Sequence, residues 1–126
     1  MRFLLPPLLL LVLLTGGALY HAHAVSQLTE AWVSSLEASA DSALRNDWDS
    51  AATQLSACYA DWQGRRTYLR ITISHASVDA VDSMYCRAMA FAETQEVSEF
   101  HAELAGLRAQ LRLLADAERL HAENIL

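Results

Sequence analysis

Apolar residues recur every three or four positions from residue 26 to residue 124, a spacing that predicts amphipathic helices. The first predicted helix covers residues 26–45. Asn46-Asp47 then forms a turn, with Asp47 as the N-cap of the second helix. The last predicted helix begins near Glu96 and has the most regular spacing in the chain. Its apolar stripe consists of Val97, Phe100, Leu104, Leu107, Leu111 and Leu114.

The middle of the chain has two further helical stripes and one ambiguous stretch. We expect Gly64 to interrupt the second helix, because glycine is a poor helix former. Residues 67–74 contain strand-favouring side chains, but an isolated strand would have nothing to pair with, so a short helix or helical connector is predicted. Ser77 is the expected N-cap of the third helix. The two stripes are Trp48, Ala51, Leu55, Cys58 and Trp62, then Val78, Val81, Tyr85, Ala88 and Met89.

Residues that break helices are rare beyond the N-terminal region. Proline is absent after Pro7, and only Gly64 and Gly106 follow Gly17. The predicted fold class is therefore all-α: a small antiparallel bundle of four or five helices, built as two helical hairpins behind an N-terminal hydrophobic helix. A weak internal repeat supports the two hairpins. Each polar turn is followed by apolar residues seven positions apart, Trp48 and Leu55 in one case and Val97 and Leu104 in the other.

The N-terminal 24 residues have the pattern of a signal peptide or a signal anchor. Arg2 precedes an apolar run from Phe3 to Tyr20, and Ala22-His23-Ala24 has the small-residue spacing of a cleavage site. Cleavage after Ala24 would release residues 25–126 as a secreted domain. Retention would leave a single-pass membrane protein, which the helical register beyond Ala24 favours, although residues 3–20 barely reach the length of a span.

Both alternatives place residues 25–126 on the extracytoplasmic side as one helical domain. If the first helix leaves the membrane, the alternating direction of the later helices brings the C-terminus back to the membrane surface. The domain contains eight arginines and fifteen acidic residues, a formal charge of −7. This balance excludes nucleic acid as a partner and argues against electrostatic adhesion to anionic lipid. Self-association into a homo-oligomer through the last helix stays open.

Two cysteines, Cys58 and Cys86, fall on predicted helices near the apolar faces. Two interpretations stay open. Both side chains are small buried groups, or they form a disulfide between two helices, which an oxidising compartment permits. Spacing alone does not decide between them.

Glu118 and His121 lie three positions apart on the last helix and would share one face. Such pairs hold metal in di-iron helical bundles, but those proteins need a second pair and two further glutamates, which this chain does not have. The two residues are therefore weak metal candidates, and a frayed polar helix end is the simpler interpretation. No complete catalytic set is present in the sequence, so neither an enzyme nor a cofactor is expected.

The whole chain resembles a family of small bacterial proteins known as domain of unknown function four-three-six-three. The resemblance rests on Asn46-Asp47-Trp48-Asp49, Trp62, Tyr68-Leu69 and the C-terminal run from Glu118 to Leu126. It implies a helical, membrane-associated extracytoplasmic protein and no particular activity. It also implies that the C-terminal run is a docking or packing element. The residues of that segment are Glu118, Arg119, Leu120, Glu123, Asn124, Ile125 and Leu126.

The sequence thus predicts a non-enzymatic protein-interaction module of the cell envelope. Its partners would be the membrane, through residues 3–20 if they are retained, and an unidentified envelope protein. The alternative is a metal-binding or redox bundle that uses Glu118 and His121, together with Cys58 and Cys86.

Overall fold

The computed structural model describes residues 2–72 and 74–125, with the side chains of residues 70–72, 121, 122 and 125 outside the description. The described residues form four α-helices and no strand: α1 (Leu5–Leu44), α2 (Trp48–Thr72), α3 (His75–Glu93) and α4 (Val97–Ile125). Each helix packs against two neighbours, in the order α1, α2, α3, α4 and back to α1. The predicted all-α bundle of two helical hairpins is confirmed.

The two hairpin turns have the same geometry. At the end of α1, Asn46 has a φ of 60°, and the N–H of Asp47 donates to the carbonyl oxygen of Ser42 at 2.9 Å. At the end of α3, Gln95 has a φ of 57°, and the N–H of Glu96 donates to the carbonyl oxygen of Phe91 at 3.0 Å. Both are Schellman motifs, in which a left-handed residue ends a helix and satisfies its last carbonyl groups. The internal repeat therefore has a structural counterpart.

Two predictions about the second and third helices are wrong. Gly64 does not interrupt α2, which continues to Thr72. A glycine inside a helix costs only about 1 kcal/mol, and the buried side chain of Leu69 beyond it packs into the core. The N-cap of α3 is Ser74, whose hydroxyl accepts the N–H of Ser77 at 3.2 Å. Ser77 thus supplies the capped N–H and not the cap.

The core lies between all four helices and contains Trp32, Trp48 and Trp62. Trp32 and Trp62 pack edge to face, and each indole N–H donates to a carboxylate on another helix. Trp32 donates to Asp61 at 2.6 Å and Trp62 donates to Asp82 at 2.7 Å. The polar ends of these large side chains are therefore satisfied by hydrogen bonds to neighbouring helices.

Helix α1 is much longer than the predicted helix, because it begins at Leu5 and not near Ser26. Its 40 residues extend for about 60 Å at ~1.5 Å per residue. The large apolar side chains from Phe3 to Leu14 project away from the bundle and are exposed, whereas burial begins at Ala22. Among the described residues, α1 is the one helix that is long and apolar enough to cross a membrane.

Candidate functional site at the base of the bundle

Three polar side chains from three helices meet where the apolar part of α1 enters the bundle. His21 Nε2 lies 2.8 Å from Glu118 Oε2 of α4, and His21 Nδ1 contacts the hydroxyl of Tyr68 on α2. The rings of His21 and Tyr68 also pack edge to face. We call His21, Tyr68 and Glu118 the basal cluster, and the end of the bundle that contains it the base.

The helical spacing explains how these residues come together. Glu118 follows Leu111 and Leu114 along the inward stripe of α4, so its carboxylate points into the bundle and is only 6% exposed. His21 lies one turn before the buried Val25 on α1. Tyr68 precedes the buried Leu69 and is 52% exposed, so it covers the cluster from the solvent side. The cluster therefore runs from a buried carboxylate to a solvent-exposed phenol.

The arrangement matches the hydrogen-bonding capacity of each group. A neutral imidazole donates through one ring nitrogen and accepts through the other. With a proton on Nε2, His21 donates to Glu118 and accepts the phenol O–H of Tyr68 at Nδ1. A carboxylate buried without such a partner destabilises a protein strongly. The cluster thus joins α1, α2 and α4 at the level where the apolar segment begins.

Glu118 therefore pairs with His21, whereas its spacing to His121 suggests a shared metal site. The frayed-end interpretation is wrong for Glu118, which is buried and bonded to His21. The side chain of His121 lies outside the described residues. Within the described part of the chain no three His, Cys, Asp or Glu side chains are grouped as metal ligands. Metal binding by Glu118 and His121 stays a prediction.

The other described side chains of the C-terminal segment are exposed. Arg119 pairs with Asp116 of the preceding turn at 3.0 Å, and Leu120 is 56% exposed. Glu123 and Asn124 are also exposed. The side chain of Ile125 and all of Leu126 lie outside the described residues. The segment is thus both a packing element, through Glu118, and an exposed surface at the base.

The two cysteines occupy different environments, and both are free thiols in the structure. Cys58 is buried, with Sγ 3.1 Å from the hydroxyl of Tyr85, and burial raises its pKa to about 11. Cys86 is exposed, and the hydroxyl of Tyr59 lies 3.9 Å from its sulfur. The expectation of two buried side chains holds for Cys58 and is wrong for Cys86, which lies on the solvent face of α3.

Sequence reasoning missed two of the three residues of the basal cluster. The sequence pattern gives no role to His21, and it places Tyr68 in the predicted short helix or connector over residues 67–74. One signal could have found His21. Residues 21, 25, 28 and 32 continue the three-four spacing of the first helix, so His21 falls on the inward face.

Comparison with known proteins assigns the sequence to a family. Residues 19–125 match the family described as Domain of unknown function (DUF4363). The chain belongs to this family. The DUF4363 match begins two residues before His21, so it includes all three residues of the basal cluster. No curated protein and no solved structure matches the chain.

Proposed function

We propose that this DUF4363 protein is a non-enzymatic interaction module of the cell envelope, carried by a retained N-terminal membrane helix with the bundle on the extracytoplasmic side. The observation that carries the proposal is the unbroken course of α1. The helix passes from an exposed apolar segment directly into the core, so one continuous helix supplies both the proposed anchor and part of the bundle, without a loop between them.

The basal cluster supports retention of the first 24 residues. Cleavage after Ala24 would remove His21 and leave the Glu118 carboxylate without its partner. It would also remove Ala22, which is buried at the base. The match to DUF4363 begins at residue 19, upstream of that cleavage site. A domain whose packing includes His21 and Ala22, and whose family pattern begins at residue 19, is best explained by a chain that keeps residues 19–24.

An interaction role follows from the shape of such a protein. Residues 21–44 of α1 span about 36 Å at ~1.5 Å per residue, and the opposite end of the bundle would be held at that distance from the membrane surface. The distal end consists of the turns at residues 45–47 and 94–96. A bundle carried on such a helix would present its distal surface at a defined distance from the membrane, which suits a docking role in the envelope.

Retention and orientation can be tested on the same cells. The intact mass of protein extracted from the membrane fraction should correspond to a chain that still contains residues 1–24. A membrane-impermeant maleimide should label the exposed Cys86 in intact cells, and the Cys86→Ala variant provides the matched control because Cys58 is buried. A mass beginning at Val25 would overturn the anchor. Labelling of Cys86 only after lysis would overturn the orientation.

The interaction role needs a separate test. A photo-crosslinking amino acid is placed at one exposed alanine on each helix: Ala31, Ala57, Ala80 and Ala109. Illumination of cells should give a discrete adduct of higher mass from at least one surface, and none without light. The absence of adducts from all four positions, and from a fifth probe at the exposed Ala52 near the distal end, would contradict an interaction module.

A further inference from the structure

At the distal end, the adjacent helices α2 and α3 leave a groove between them. Its volume is about 340 Å³, near the lower limit of about 300 Å³ for ligand pockets, which suits one or two large side chains rather than an extended ligand. The groove exists because small residues face each other across it: Ala52 on α2 and Ala92 on α3. We call it the distal groove.

The groove has an apolar floor and an acidic rim. Trp48 and Leu55 belong to the buried core and form the floor, and the half-buried Met89 forms part of the wall. Asp49 and Glu93 are exposed on opposite sides of the opening. In the described part of the chain, neither carboxylate pairs with a cationic side chain. Methionine adapts its shape to a partner, so the wall can adjust to an inserted side chain.

The charge around the groove is strongly one-sided. The two chain segments at the distal end, residues 41–50 and 93–99, contain six acidic residues and a single arginine, a formal charge of −5. The formal charge of the whole chain is −6. All six carboxylate side chains are exposed. The acidic character of the protein is thus concentrated at the end farthest from the apolar segment.

We propose that the distal groove binds a basic amphipathic segment of another envelope protein, with an apolar side chain in the groove and flanking cations on Asp49 and Glu93. This inference rests on the proposed interaction function and names its surface and partner chemistry. A second copy of the chain would bring two acidic ends together, which like-charge repulsion opposes. Membrane lipid lies at the opposite end in the anchored orientation.

Defined peptides test the groove on the full-length protein in non-ionic detergent micelles. The first peptide combines lysine and leucine at helical spacing, and the second keeps every lysine but replaces leucine with serine. Binding is followed through the indole N–H signals in NMR spectra. Of the three tryptophans, only Trp48 lines the groove, whereas Trp32 and Trp62 donate their indole N–H groups to Asp61 and Asp82 on neighbouring helices.

The lysine–leucine peptide should bind, shift the Trp48 signal and leave the other two indole signals in place. The double variant Asp49→Asn/Glu93→Gln should weaken binding by tenfold or more. The control Glu30→Gln/Glu37→Gln removes the same charge from exposed positions on α1, away from the groove, and its affinity should stay within twofold of wild type. A third variant, Ala52→Trp, should block the groove from an exposed position and abolish the Trp48 shift.

Two results would overturn the proposal that the distal groove binds a basic amphipathic segment. The lysine–serine peptide could bind as tightly without moving the Trp48 signal, which means diffuse charge attraction only. Alternatively, the rim variant and its charge-matched control could bind equally. Either result leaves the interaction function intact if cells still give photo-adducts from a lateral helix face. Absence of adducts from every face, including Ala52, would instead defeat the interaction function itself.

Discussion

His21 and Glu118 are 97 positions apart in the sequence, yet His21 Nε2 lies 2.8 Å from Glu118 Oε2. This contact ties the start of the bundle to its last helix. It also depends on residues that an export-signal interpretation would remove from the mature chain. The stability of the protein is therefore expected to depend on this contact.

Replacing His21 with alanine should lower the free energy of unfolding by roughly 1–3 kcal/mol, because the buried carboxylate of Glu118 loses its partner. Denaturant unfolding of the bundle in detergent micelles measures this change. His23→Ala is the matched control, since His23 lies on the same helix but is exposed, and we expect a change within about 0.5 kcal/mol.

A second substitution, at Glu118, tests whether the loss of stability in His21→Ala comes from the unpaired carboxylate. Adding Glu118→Leu to His21→Ala removes the unpaired charge and continues the leucine stripe of α4, so part of the lost stability should return. Glu118→Leu added to the wild-type chain should instead destabilise it. Equal effects of Glu118→Leu in both backgrounds would show that the two residues are not coupled.

A glycine at position 95 should stabilise the turn before α4. Gln95 has a φ of 57°, a left-handed conformation that strains a side chain with a Cβ atom, so Gln95→Gly should raise the free energy of unfolding by roughly 1 kcal/mol. Asn46→Gly tests the equivalent position in the first hairpin turn, and its free energy of unfolding should rise by less. Asparagine tolerates this conformation, and Asn46 Oδ1 accepts the indole N–H of Trp48 at 3.2 Å. A larger gain at Asn46 would contradict the strain argument.

Gly64 should behave as an interior helix position. A Cβ atom added there meets no atom within 4 Å, so Gly64→Ala should raise the free energy of unfolding by about 0.5–1 kcal/mol through helix propensity alone. Thermal unfolding followed by circular dichroism measures the change. If α2 ended at Gly64, as the sequence pattern predicts, the substitution would have little effect.

Alkaline pH should destabilise the protein through Cys58. Burial raises the pKa of Cys58 from its ordinary value of 9.0 to about 11. Between these values the unfolded chain releases the thiol proton while the folded chain keeps it, so the unfolded state binds fewer protons. The free energy of unfolding therefore falls as pH rises from about 9 to 11, by at most about 1.4 kcal/mol per pH unit for this one group.

The pH dependence of Cys58→Ala provides the check. Its stability should fall less steeply than that of wild type over this range, whatever its stability at neutral pH. Burial also raises the pKa of Tyr85, so some slope should persist above pH 10. Parallel slopes for wild type and Cys58→Ala would contradict the prediction.

Much of the fold could be predicted from local patterns. The apolar stripe of α4 is buried as expected from Phe100 to Leu114, but its first predicted member, Val97, is 39% exposed. Asp47 is the N-cap residue of α2 as expected, since its Oδ1 accepts the N–H of Ser50 at 3.2 Å. Helix boundaries were less accurate. The sequence pattern predicts a break at Gly64 and a cap at Ser77, because neither residue by itself reveals the packing of Leu69 or the hydroxyl of Ser74.

The sequence by itself determined the all-α class, the two hairpins, the acidic charge and the apolar N-terminal segment, because periodicity, turn residues and composition act over short stretches of chain. Only the tertiary structure decided that His21, Tyr68 and Glu118 meet, and that Asp49 and Glu93 form an acidic rim around the distal groove. Those relationships depend on which faces of distant helices pack together. That choice is made by burial of the whole core, and spacing within one helix does not contain it.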